Sequence, residues 1–303
     1  MHMKTPVVID SAGKYGAGLA LEMIGKGLNE LGISRDQIVI SNKLGWTRIP
    51  LTGKEPTFEP GVWKDIQYDA IQSISYEGIM SCYEQGCELV GSDYSIDLVS
   101  VHDPDEYLAR AGTPDARQKC FEDIVDAYKA LKDMKREGRV KAIGIGAKDW
   151  TVIRELQEYI EFDWVMLALS MTIYYHPPEV LEFISLLNRN NIAIINSAVF
   201  HSGFLTGGNY FDYRIVDPAN HNDKHLFNWR DTFFNLCKEY NVLPAEACVQ
   251  FGLSPAGVIS ISLNTSKPLR VGQNIDLVRT RIPSEFWERM KSEKLIDGDY
   301  PYL

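Results

Sequence analysis

Seven short, largely apolar runs rich in β-branched residues recur along the chain, each followed by a longer stretch with helical spacing, and this alternation constrains the fold more than any other feature. The runs are Pro6 to Asp10, Ile38 to Lys43, Ile96 to His102, Ala142 to Ala147, Trp164 to Leu169, Ile192 to Val199 and Val258 to Leu263. Being nearly all apolar, they read as parallel strands buried on both faces. The spacing predicts helices over Leu19 to Leu31, Asp69 to Gln85, Cys120 to Arg136, Thr151 to Tyr159, Pro178 to Asn190 and Trp229 to Tyr240. Ile124, Ala127, Tyr128 and Leu131 show the three- and four-residue period. Pro177-Pro178 opens a helix, Gly32, Gly86 and Gly138 stand where helices should stop, and Ser284 starts a final one over Glu285 to Leu295.

An α/β chain of 303 residues with 45% hydrophobic content can bury one full core, and no Pro/Ser-rich linker or short repeat divides it. It is expected to form a single domain over residues 1–303. Lys and Arg total 31 against 41 Asp and Glu, a net charge of -10, which disfavours nucleic acid and anionic membrane and leaves a small molecule as the expected partner. No segment has the apolar length of a signal peptide or membrane span. Five scattered cysteines form no zinc pattern and read as reduced, mostly buried thiols, so the chain is expected in the cytoplasm. His221 and His225 are close enough for a metal pair but read as solvated loop histidines.

Three connections after strand ends are longer than a βα link needs: Gly45 to Tyr68, Asp103 to Gln118 and His201 to Asn228. In a barrel of βα units such loops build the active site at one rim. Four polar residues stand at the ends of three successive strands there. Asp10 and Tyr15 lie in Asp-Ser-Ala-Gly-Lys-Tyr-Gly, Lys43 ends the second run and His102 the third. A free phenol, with a pKa of about 10, is a reluctant acid or base. An adjacent Lys43 would depress it, Asp10 would hold Lys43 charged, and His102 would hydrogen-bond a substrate oxygen.

Asp10, Tyr15, Lys43 and His102 match in order and spacing the tetrad of aldo-keto reductases, and the resemblance covers nearly the whole chain. Lys-Ala-Ile-Gly-Ile-Gly from 141, the Trp164 to Leu169 run and the Asn196 to Leu205 stretch resemble the branch of L-fucose, L-galactose and D-threo-aldose 1-dehydrogenases. The resemblance implies a (β/α)8 TIM barrel and an NAD- or NADP-dependent oxidoreductase. It would oxidise C1 of a sugar to a lactone, with Tyr15 as base in that direction and acid in reduction.

The resemblance also implies that the segment after the last strand holds the nucleotide phosphates. Here that gives Ser262, Asn264, Ser266, Lys267 and Arg270, followed by a helix start at Gln273-Asn274. Lys148 stands where relatives carry an Asn beside the nicotinamide amide, and Phe200 is the candidate for stacking on the nicotinamide, a place where relatives have tyrosine. For a sugar or aldehyde substrate, Trp46 and Tyr107 join His102 as candidate contacts.

Two rival readings compete with this one. Gly13, Gly16 and Gly18 follow a strand, but their spacing is not Gly-x-Gly-x-x-Gly and Lys43 replaces the acidic residue that a dinucleotide fold places after the next strand. The second rival is a barrel that binds cofactor or ligand without turnover. Its basis is that the family's first βα unit is missing ahead of Asp10, which would leave the first and last strands with open edges that invite homo-oligomers.

Overall fold

The computed structural model describes residues 6–303. They divide into two compact units, residues 6–147 with 151–164 and residues 148–150 with 165–303. All seven expected strands are present, with ends within two residues of the sequence expectation.

In the first unit, the first strand (Val7–Ala12), second (Ile38–Leu44), third (Leu98–His102) and fourth (Ala142–Ala147) run parallel in that order. Ile40, Leu44, Val99, Val101, Ile143 and Ile145 are buried. The helices Leu19–Glu30, Tyr76–Val90 and Pro114–Arg136 supply the matching apolar faces. The first strand departs from the expectation of burial on both faces, since Val7 is 42% and Val8 47% exposed. Among the described residues it has a strand neighbour on one side only.

The second unit holds the rest of the fifth strand (Trp164–Ala168) with the sixth (Ala193–Ser197) and seventh (Val258–Ser262), the last two parallel. Its core packs Phe204, Phe233, Phe251 and Phe286. Ile259 on the seventh strand is 70% exposed, for the same reason as Val8. Among the described residues no helix is long and apolar enough to cross a membrane, and no His/Cys/Asp/Glu cluster could hold a metal.

Several local expectations are corrected. The helix expected from Asp69 begins at Tyr76, after a strand (Tyr68–Gln72) that pairs antiparallel with Trp46–Pro50. Ser75 caps that helix by accepting from Gly78 N at 3.1 Å. Gly86 does not stop it: Gly86 lies inside the helix, where a Cβ would sit 2.7 Å from Asn42 Nδ2. The helix ends instead at Gly91, φ 92°. The helix expected from Cys120 starts at Pro114 under a Thr113 cap, and Pro104–Ala109 adds a short helix to what read as loop. Pro244–Leu253 is a helix that the sequence reading missed, because its apolar residues show no one-sided period.

His176, partly buried in the second unit, has both ring nitrogens committed. Nδ1 donates to the Thr172 carbonyl at 3.0 Å, so Nε2 accepts from the Asp297 N–H at 3.2 Å. Burial pushes its pKa down from the ordinary histidine value, outweighing the Thr172 carbonyl. The unfolded chain therefore takes up the proton first. His176 contributes its full stability above pH of about 7.5 and loses it as pH falls through about 6.5 toward the lowered folded value. The urea midpoint is expected to fall between those limits and below, and to fall less for His176→Gln; equal slopes would rule the effect out.

Candidate active site

Parallel pairing aligns Asp10 with Ser41, Ala12 with Lys43, and Lys43 with Ser100. Because strand side chains alternate between faces, Asp10, Ser41, Lys43, Ser100 and His102 share one face of the first unit's sheet. Tyr15 is carried just beyond the first strand by the turn Gly13–Gly18. Gly13 is required there, as a Cβ would lie 2.4 Å from the Trp46 carbonyl oxygen.

All four members of the expected set come together within the first unit. The Lys43 ammonium forms an ion pair with Asp10 Oδ2, and Lys43 is only 8% exposed. Its Nζ lies 5.1 Å from the Tyr15 ring centroid. The His102 ring meets Tyr15 edge-on, at 5.5 Å and 88°. His102 Nε2 lies 3.4 Å from the Asp103 carboxylate.

Burial alone would lower the Lys43 pKa, but the Asp10 carboxylate and Tyr15 outweigh it and hold the pKa above the ordinary lysine value. Lys43 therefore stays charged through the neutral range, and its contribution to stability is lost only as pH rises through that raised value.

Ser41, which the sequence reading missed, donates its hydroxyl to Asp10 Oδ1 at 2.8 Å, so both carboxylate oxygens are held. The signal for it was its position two residues before Lys43, on the same strand face. Ser100 is fully buried in the same layer as Lys43, and its Oγ has no protein partner among the described residues.

The other candidates sit as follows. Trp46 is buried in a small cluster with Ala17, Phe58 and Ala70, with Trp63 and Ile66 packed on it. Tyr107, on the short helix Pro104–Ala109, donates its hydroxyl to Asp123 at 3.1 Å, and burial pushes its pKa up to about 12.

In the second unit, Lys148 Nζ lies 4.7 Å over the Tyr213 ring, and Phe200 is half-buried. His201 is buried, with Nε2 2.7 Å from the Thr172 hydroxyl, Nδ1 2.8 Å from Asp212, and its ring stacked on Phe211 at 4.7 Å. His221 and His225 are exposed, although His225 lies on the helix Lys224–Glu239.

Ser262 ends the seventh strand, and Asn264, Ser266, Lys267 and Arg270 are exposed beyond it. The following helix is Arg270–Leu277, so Gln273 and Asn274 lie within it rather than at its start. Among the described residues neither Lys267 nor Arg270 has a carboxylate partner. Uncompensated cations beside exposed hydroxyls and amides fit a polyanion such as a dinucleotide.

The sequence profile of the Aldo/keto reductase family matches residues 6–294. Pyridoxal 4-dehydrogenase of Microbacterium luteolum is 27% identical over 95% of this chain and 84% of its own length. D-threo-aldose 1-dehydrogenase of a Pseudomonas species is 26% identical over 95% of this chain and 83% of its own. Among solved structures, a holo aldo-keto reductase from Bacillus halodurans superposes with TM-score 0.66 at 20% identity, covering 96% of this chain and 82% of its own. Glycerol dehydrogenase of Gluconobacter oxydans gives 0.67 at 17%, covering 97% and 82%. With the four-residue set assembled in one unit and the profile spanning almost the whole sequence, the chain belongs to the aldo/keto reductase family of oxidoreductases.

Proposed function

We propose that this chain transfers hydride between NAD or NADP and C1 of a cyclic sugar, or a related small carbonyl or alcohol, with Tyr15 carrying the proton. The observation that supports this most directly is the buried Lys43 ammonium, paired with Asp10 and set against the Tyr15 ring. The nicotinamide nucleotide, when bound, supplies or accepts the hydride. Ser266, Lys267 and Arg270 are the groups that would hold its phosphates, and Lys148 and Phe200 the side chains assigned to the nicotinamide.

In the oxidation direction the Tyr15 phenolate oxygen takes the C1 hydroxyl proton as C1 gives up its hydride to the nucleotide, so that the product is a lactone; in reduction the phenol returns a proton to the carbonyl oxygen as the carbon receives hydride. The Lys43 ammonium sits against the Tyr15 ring, and Asp10, fixed by Ser41, keeps Lys43 in place. His102 donates to the substrate oxygen and sets its approach. Two relatives named as dehydrogenases, one of pyridoxal and one of aldose C1, support the oxidative direction.

A spectrophotometric scan at about 340 nm, with NAD and with NADP against fucose, galactose, arabinose and simple aldehydes, tests the reading. Turnover of at least one sugar is expected. Nucleotide binding without turnover on any of them would instead favour a binding role.

A further inference from the structure

Four cations lie against the turn that carries Tyr15 or the Trp46 ring beside it, and each is matched by an acid. Lys43 pairs with Asp10, Arg48 with Glu22 at 3.0 Å and Arg110 with Glu106 at 4.0 Å. The fourth, Lys14, is the residue adjacent to Tyr15 in the chain. Its side chain is buried, its Nζ lies 2.6 Å from Glu59 Oε1, and it sits 5.2 Å over the Trp46 ring. Glu59 comes from the long connection after the second strand. Its other oxygen accepts the Trp63 indole N–H at 2.8 Å, so the carboxylate is held from both sides. Glu59 is kept at φ 47°, in the left-handed region that costs a non-glycine residue energy.

A substrate carrying a carboxylate or phosphate beside its reacting carbon needs an uncompensated cation nearby, as its charge must otherwise be desolvated without a partner. Lys14 is the cation nearest to Tyr15 in sequence, and Glu59 cancels it. We infer that Glu59 is a specificity-determining residue: by neutralising Lys14 it reserves the Tyr15 turn for uncharged hydroxyl and carbonyl compounds and turns away carboxylated or phosphorylated ones. This rests on the proposed role of Tyr15. The device is one of exclusion, since removing the acid would expose an attractive charge already in place.

The test compares butanal with succinic semialdehyde, which has the same carbon count and an added carboxylate. The parent protein is expected to favour butanal in kcat/KM by about tenfold or more. Glu59→Gln should raise the ratio of succinic semialdehyde to butanal by about fivefold or more, through KM rather than kcat. Raising NaCl from about 0.05 M to about 0.5 M should erase that gain, as should adding Lys14→Met. Should Glu59→Gln fold poorly, Glu59→Asp, whose carboxylate is withdrawn by one methylene, reads the same ratio at smaller amplitude.

Equal use of the two aldehydes by the parent overturns the inference. So does an unchanged ratio in both Glu59 variants, or a gain that survives Lys14→Met. Absence of turnover on either aldehyde and on every sugar overturns the functional reading and this inference with it, whereas turnover with an unchanged ratio overturns the inference alone.

Discussion

Replacing Tyr15 by Phe is expected to lower kcat by about 10²- to 10⁴-fold while nucleotide affinity stays within a few-fold of the parent. The ring is what His102 meets edge-on and what lies beneath the Lys43 ammonium, so phenylalanine keeps the packing and removes only the hydroxyl. The comparison thus isolates proton transfer from positioning. Steady-state rates with a turned-over sugar, alongside fluorescence titration of NAD and NADP, give both quantities. Turnover in Tyr15→Phe at more than about a tenth of the parent rate would remove Tyr15 from the chemistry.

The largest expected effect on stability comes from one methyl group in the helix Leu19–Glu30. At Gly25 a Cβ would lie 1.9 Å from the Val90 carbonyl oxygen and 2.6 Å from its carbon, on backbone that cannot rotate aside. Gly25→Ala is expected to destabilise by about 2–3 kcal/mol despite the better helix propensity of alanine. Gly27, two residues on in the same helix, has nothing within 4 Å of its Cβ position. Gly27→Ala should instead stabilise by about 0.5–1 kcal/mol. Urea denaturation followed by circular dichroism measures both, and a stabilising Gly25→Ala would mean that the two helices do not approach this closely.

The strands could be read in the sequence because each is a short, largely apolar run followed by a stretch with helical spacing, and their ends fell within two residues of expectation. The proposed catalytic set was legible for a related reason. Asp10, Lys43 and His102 are polar residues in or closing apolar runs, and parallel pairing brings such positions to one face. What escaped the reading depends on partners distant in sequence. The strand Tyr68–Gln72 is defined by its pairing with Trp46–Pro50, and period alone gave it to a helix. Ser41 gains its importance from Asp10, and Lys14 from Glu59, neither of which a local pattern announces. Pro244–Leu253, with buried residues on several sides, lacks the polar face that marks a surface helix.

The contact between Gly13 and the Trp46 carbonyl has a bearing on how such a protein can diversify. With so little clearance between the two segments, the turn that presents Tyr15 and the start of the hairpin formed by the strands Trp46–Pro50 and Tyr68–Gln72 must shift as a single body. Lengthening or shortening that hairpin would tilt the phenol as well as reshape its surroundings. The stretch that leaves the hairpin is pinned again farther along, where Asp69 receives the Thr57 N–H at 2.9 Å. Variation at the exposed residues 52–55, between these anchors, can therefore reshape the surface of the loop without moving the turn that presents Tyr15.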